Sequence, residues 1–265
     1  MKKFKKILRF TLWSFLIIGL LLTMGFVNKE QKLLVCKSLE VKINKNDEVS
    51  FLDKTDIVKL MKSRGDSIIG QSKYAIEIPE IENVLSSHED IAKVNVYMTI
   101  DGSVNVNVKQ RKPILRVFNS NGESYYLDES GKIMPLSNKY TARVLVANGN
   151  ILQTDASNYS NSVSVNDTIK KSNSKLNELF AMASYINRDE FWKAQIQQMF
   201  VNSERDIELM SLVGNQRIVF GDTTAMEEKF KKLKTFYIQG LNTTGWWDKY
   251  SIINLKFKNQ IVCTK

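Results

Sequence analysis

Between Arg9 and Asn28 the chain carries no charged side chain: FTLWSFLIIGLLLTMGFV, eighteen residues from Phe10 to Val27. At about 1.5 Å per residue, a helix of that length spans roughly 27 Å, close to the thickness of a bilayer's hydrocarbon core. A secretory h-region is shorter, about 7–15 residues, and ends at a small-x-small cleavage site. Here the run is longer and is followed by Asn28-Lys29-Glu30-Gln31. It reads as an uncleaved transmembrane helix, in preference to a cleaved signal or a buried core helix. Lys2, Lys3, Lys5, Lys6 and Arg9 precede it with no acid among them, and basic flanks stay cytoplasmic. The expected arrangement is a cytoplasmic basic stub (1–9), one span (10–27) and an exported bulk (28–265).

That arrangement decides how the charge is read. The 265 residues carry 38 basic and 28 acidic side chains, a net +10, but five of the basic ones sit in the stub. The exported portion holds 33 against 28, which is no electrostatic footprint for nucleic acid. One histidine and two cysteines are too few for most zinc sites built within one chain, or for a disulfide-dense scaffold. An exported domain meets no ATP, which argues against a kinase or ATPase.

The exported chain begins with a strand-like stretch over 33–43, in which Leu39, Val41 and Ile43 share a face. Ile57, Val58, Leu60 and Met61 follow at helical spacing, with Asp53 or Thr55 as cap and Gly65 as terminator. Pro79 suits the first turn of a second short helix carrying Ile81, Val84 and Leu85. Val94, Val96, Met98 and Ile100 then alternate with polar residues up to Asp101-Gly102, and Val104, Val106 and Val108 alternate after it. The spacing predicts a hairpin on a two-residue type I′ turn. The order is β-α-α-β-β.

Past Pro113 the texture changes to short β pieces: Ile114–Phe118, Tyr125–Leu127, Ile133–Leu136 and Arg143–Ala147. Residues 153–174, rich in Asn, Ser, Thr and Asp, read as a long loop. Leu176, Leu179, Phe180, Ala183 and Ile186 give a helix. Ile207, Leu209, Ser211 and Val213 form a strand face that turns at Gly214-Asn215 into Arg217–Phe220. Thr224-Ala225-Met226-Glu227 has capping-box spacing and opens a helix with Met226, Phe230, Leu233 and Phe236 or Tyr237, ending near Gly240. After Trp246-Trp247 a closing strand places Ile253, Leu255 and Phe257 on one face and Lys256 and Lys258 on the other. The fold class is α+β: a single N-terminal transmembrane helix, a small β-α-α-β-β domain (28–112), and a mixed, mainly antiparallel β domain with helices (113–265).

The usual nucleotide, esterase and zinc-protease motifs are absent from the sequence. His88 reads as a solvated loop residue. Glu80/Glu82, Glu89/Asp90 and Asp128/Glu129 have glycosidase-like proximity, but adjacent carboxylates in turns are ordinarily solvated turn formers. Outside the cytoplasm Cys36 and Cys263 are free to pair, yet they lie near opposite ends of the exported chain and read as two partly buried thiols. Asp66-Ser67-Ile68, Asp167-Thr168-Ile169 and Asp222-Thr223-Thr224 match a short pattern that some bacteria O-glycosylate. No catalytic, metal or cofactor residue emerges.

Val104-x-Val106-x-Val108-x-Gln110-Arg111-x-Pro113, Tyr125-Tyr126-Leu127-Asp128-x-x-Gly131, Val219-Phe220-Gly221 ahead of a helix with Lys229, and Ile253-Asn254-Leu255-Lys256-Phe257 occur in one order. With the basic stub and span before them, they resemble the FtsQ/DivIB family of bacterial cell division proteins over nearly the whole chain. One departure is Asn254, where the family often has Asp. The resemblance implies a POTRA domain, a following β domain and no enzyme activity or cofactor. It implies partners of the FtsB and FtsL type, which couple indirectly to the septal synthase complex FtsW/FtsI. It places the bulk in the periplasm, on the inner membrane and enriched at the septum. Carried over by position, the partner-binding residues are Lys256, Phe257, Lys258, Asn259, Gln260 and Ile261, reached by strand addition at the C-terminal strand. A second reading is a POTRA-containing export or outer-membrane assembly factor. It is disfavoured because the sequence holds one such unit and no repeated barrel strands.

Overall fold

A computed structural model describes residues 11–23, 35–44, 50–62, 68–152 and 175–265. The expected loop at 153–174, the cap Gly65 and strand residues 33–34 lie outside the described residues, as do the triplet at 167–169 and most of that at 66–68. Two compact units emerge: residues 1–46 with 52–110, and residues 47–51 with 111–265.

Residues 11–23 are helical. Among the described residues no helix is long and apolar enough to cross a membrane. The expected span 10–27 extends at both ends beyond what is described. Leu12, Trp13, Phe15, Leu16 and Leu20 through Leu22 are all more than half exposed, so among the described residues this helix leaves its apolar side chains uncovered. Its Ser14 and Thr23 hydroxyls donate back to the carbonyls of Thr11 and Leu20, each at 2.9 Å.

In the first unit the elements are β1 (Ser38–Ile43), α1 (Lys54–Lys62), α2 (Ile78–Ser86), β2 (Ile91–Met98) and β3 (Ser103–Gln110). The sheet order is β1-β3-β2, with β1 parallel and β2 antiparallel to the central β3. Asp53 caps α1: its carboxylate accepts from Asp56 N–H at 2.9 Å, and Asp56 returns the bond to Asp53 N–H at 3.0 Å. One sheet face and the two helices enclose Val41, Val96, Val104, Val106 and Val108 together with Ile57, Leu85 and Ile91. Gln110 fastens the segment before α1, accepting from Leu52 N–H at 3.1 Å and donating to Leu52 C=O at 2.9 Å.

The β2–β3 hairpin differs from the expected two-residue turn. Gly102 N–H donates to Thr99 C=O, Thr99 N–H donates to Ser103 C=O, and only Gly102 in the turn has positive φ, +91°. This is a three-residue loop with glycine in the bulge position. It takes Ile100 off the strand and leaves it 93% exposed. A Cβ on Gly102 would lie 2.7 Å from the Val35 carbonyl oxygen.

The second unit is one nine-stranded sheet. Its strands are β4 (Pro113–Phe118), β5 (Ser124–Asp128), β6 (Ile133–Met134), β7 (Leu145–Gly149), β8 (Ile196–Val201), β9 (Ile207–Ser211), β10 (Arg217–Gly221), β11 (Ile252–Asn254) and β12 (Val262–Thr264). The order is β12-β11-β10-β9-β8-β7-β4-β5-β6. Parallel neighbours need long crossovers. The β7–β8 crossover carries α3 (Lys175–Arg188) and α4 (Glu190–Gln195), and the β10–β11 crossover carries α5 (Met226–Thr235). Leu176, Leu179, Met182 and Ile186 of α3, with Phe230 and Leu233 of α5, join strand residues such as Val117, Met199, Leu209, Phe220 and Ile253 in one core.

Four further sequence expectations are corrected, and two elements were missed. The strand β8 and helix α4 sit between the predicted elements and were not anticipated. Val213 lies beyond β9 and is 42% exposed. The Thr224 capping box does not form: Ala225 precedes α5 in a left-handed conformation, φ 52°, and Thr224 spends its hydroxyl on Asp222 at 3.0 Å. The helix also does not stop near Gly240. It runs on through a π turn, Phe236–Leu241, and Asn242–Thr244, and ends at Gly245, φ 68°. Asp128, read as a solvated turn residue, is buried and bonded.

Candidate interaction surface

The predicted partner-binding residues lie where the chain leaves β11. That strand pairs with β10 in parallel, and Leu255 N–H extends the pairing to Val219 C=O at 2.9 Å. The chain then turns away. Asn254 Oδ1 accepts from Lys256 N–H at 3.0 Å, closing a local turn. An Asp oxygen would accept the same bond, so the departure at this position is conservative in the role the structure gives it.

The expected closing strand, whose alternation runs to Lys258, therefore ends four residues earlier, at Asn254. Ile253 and Leu255 are fully buried, but Phe257 is 46% exposed and is not core. Residues 257–260 form a turn, and β12 returns antiparallel to β11, pairing Ile252 with Thr264 and Asn254 with Val262. Among the described residues, the sheet's edge at this end is β12. Ser251 N–H donates to Thr264 C=O at 2.8 Å, so the alternation of an antiparallel ladder turns the N–H and C=O of Cys263 outward.

The six residues are held in different ways. Lys256 Nζ meets Asp206 Oδ2 at 2.6 Å. The hydrogen bond that Lys256 donates to Asp206, and the charge of that carboxylate, push the Lys256 pKa above the usual lysine range. Lys232, on α5, donates to the carbonyls of Phe257 at 2.6 Å and Lys258 at 3.2 Å. Those two bonds fasten the turn to the helix. Lys258, Asn259, Gln260 and Ile261 form one wall of a groove of about 600 Å³, and Glu228, Lys231, Lys232, Thr235 and Phe236 form the other. The structure thus brings four of the six together in one groove and leaves Lys256 and Phe257 beside it.

Sequence reasoning missed the helical wall. Its signal was present: 228, 231, 232 and 235 follow helical spacing on the face opposite the buried Phe230 and Leu233. The groove presents more cations than anions, with apolar contact from Phe236 and Ile261.

Nearby, Lys229 is nearly buried. It donates to Asp222 C=O at 2.9 Å and Asp222 Oδ1 at 3.1 Å, and lies 5.1 Å from the centre of the Phe220 ring. Partial burial works against the Asp222 carboxylate, but the bonds from Lys229 and Thr224 outweigh it and hold its pKa below the usual range. These contacts set the start of α5, and hence the groove wall. Cys36 and Cys263 are free thiols in separate units, and burial pushes Cys263 up. His88 sits at a turn, where its Nδ1 accepts from Asp90 N–H at 3.2 Å.

Comparison with known families assigns both units. A POTRA-like domain matches residues 34–109, and a domain described as FtsQ/DivIB, C-terminal related, matches 112–264, more than half of the chain. The chain belongs to the FtsQ/DivIB family. No curated protein matches it. For an FtsQ/DivIB protein the β-α-α-β-β unit is the POTRA-like domain, and the nine-stranded sheet with its C-terminal hairpin is the family's C-terminal domain. Members of this family serve as scaffolds in cell division.

Proposed function

We propose that this FtsQ/DivIB-family chain is a non-enzymatic, single-pass division scaffold. The stub lies in the cytoplasm, residues 10–27 cross the inner membrane, and both folded units work in the periplasm at the septum. The exposed apolar surface of the 11–23 helix, with its hydroxyls satisfied internally, suits a lipid environment.

The observation that carries the partner role is the β12 edge beside the basic groove. An incoming extended segment of an FtsB-type protein gains backbone bonds along β12, and flanking acidic residues meet Lys231 and Lys258. FtsL joins through FtsB, and the septal synthase complex FtsW/FtsI is reached indirectly. Lys256 to Ile261 contribute as a turn and groove wall, with the added strand running along Cys263.

Depletion of the chain in its own cells, with a fluorescent N-terminal copy as reporter, tests this reading. A midcell band, with filamentation on depletion, supports it. An even envelope signal with normal division and defective outer-membrane assembly supports the export-factor reading instead.

A further inference from the structure

The first unit shows a second surface, unrelated to the groove. One face of its sheet covers the helices. The other carries Glu40 and Lys42 on β1, Asn107 and Lys109 on β3, and Lys93, Asn95 and Tyr97 on β2, in facing rows around the buried Asn105. Asn95 pairs with Asn107, and Lys93 stands directly opposite Lys109. Like charges opposite each other in a ladder destabilise it. Lysines on sheet edges discourage wrong pairing, which accounts for Lys42 and Lys93. It does not account for Lys109 on the central strand. Neither Lys93 nor Lys109 has a carboxylate partner among the described residues, and Lys42 has only Glu40, at 3.6 Å.

The three lysines rim a recess of about 460 Å³, and Asn44, Asn95 and Asn107 also line it. Ammonium groups around primary amides suit an anion that carries hydroxyl or ester oxygens. The expected span ends at Val27 and β1 begins at Ser38. Eleven residues reach no more than about 40 Å, so this unit is tethered close to the bilayer.

We propose that this sheet face docks on the membrane surface, its recess taking the phosphodiester headgroup of an anionic phospholipid. The inference rests on the membrane anchoring proposed above, and it assigns a lipid-facing side to the POTRA-like domain. A diester oxygen accepts from the lysines, and headgroup hydroxyls exchange bonds with the amides.

The test is lysine reactivity of the full chain in lipid nanodiscs, by reductive methylation and mass spectrometry. Discs of phosphatidylcholine alone are compared with discs holding phosphatidylglycerol, with Lys132 as reference. Methylation at least threefold slower at Lys42, Lys93 and Lys109 in the anionic discs is the expected result. The double change Lys93→Glu, Lys109→Glu should abolish the slowing at Lys42. Asn95→Asp, a milder change on the same exposed face, should weaken it and guards against misfolding of the first variant. Equal rates in both discs overturn the proposal. So does equal slowing in neutral discs by added glycerol phosphate, which marks a free-anion site, or by polyglutamate, which marks an acidic protein partner. A chain that does not stay with discs of either kind overturns the anchoring and this inference together. A chain that stays but shows equal rates overturns this inference alone.

Discussion

The guanidinium of Arg111 reaches the carboxylate of Asp128 at 2.7 Å, with both side chains nearly buried, 12% and 4% exposed. Two stretches that look independent in sequence are one ion pair in the fold. Asp128 also accepts from Ser130 N–H at 2.8 Å, Ser130 Oγ at 2.6 Å and Lys132 N–H at 2.8 Å. One carboxylate therefore organises the turn between β5 and β6 and fixes the chain entering β4. Removing one partner of a buried pair leaves the other charge unmatched, at a cost of about 3–5 kcal/mol. Arg111→Met should lower stability by about 3 kcal/mol in chemical unfolding. The neighbouring pair Lys112–Glu129, at 3.2 Å, is about half exposed, and Lys112→Ala should cost about 0.5 kcal/mol or less.

Lys232→Met should release the 257–258 turn. The two carbonyls it serves lose their donor, while the methionine stem keeps the aliphatic packing of α5. Hydrogen exchange of residues 256–261 should quicken about tenfold, with β10 and α5 unchanged. Equal exchange in the variant would show that the turn holds itself.

Tyr237 predicts an alkaline limit. Burial pushes its phenol from 10 up to about 12; Ser211 offsets this only in part, because its hydroxyl is spent on Val213 C=O at 2.8 Å. The unfolded tyrosine ionises near 10 and the folded one does not, so the folded state holds more protons between those values. Stability is complete below pH 10 and declines as pH rises towards 12, by about 2–3 kcal/mol for a two-unit shift. Tyr237→Phe should flatten that decline, measured as unfolding midpoints from pH 9 to 12.

Gly102→Ala should cost the first unit about 1–3 kcal/mol, since the turn needs φ +91° and the new Cβ would strike the Val35 carbonyl. Thermal unfolding followed through the first unit's signals checks this. The turn also shows where sequence reasoning stops. Alternation of Val94, Val96, Val104, Val106 and Val108 revealed both strands, because burying one face imposes period two. It did not reveal the loop type, because Asp-Gly serves both the two-residue turn and the bulged loop. Strand β8 escaped because Gln197 and Gln198 break the alternation between Ile196, Met199 and Val201, and its burial comes from neighbours far along the chain. The closing segment was legible as far as Leu255. Beyond it, one asparagine turn and the lysine on α5 redirect the chain, and neither leaves a periodic signature. The groove wall on α5 was written in the 228–231–232–235 spacing, but its meaning depends on where Lys258 to Ile261 fold back.

The central claim is that a partner strand adds to β12 beside the basic groove. The direct measurement is the affinity of the full chain, in detergent or nanodiscs, for an FtsB-type protein from the same organism. It compares the unaltered chain with Cys263→Pro, which removes one outward N–H, and with Lys258→Glu, which reverses charge in the groove. Thermal unfolding of each variant reports its fold, and Lys93→Glu, in the other unit, serves as a control. The account predicts at least tenfold weaker binding for Cys263→Pro and for Lys258→Glu, with the control unchanged. Full affinity in both variants, with the fold intact, would contradict it.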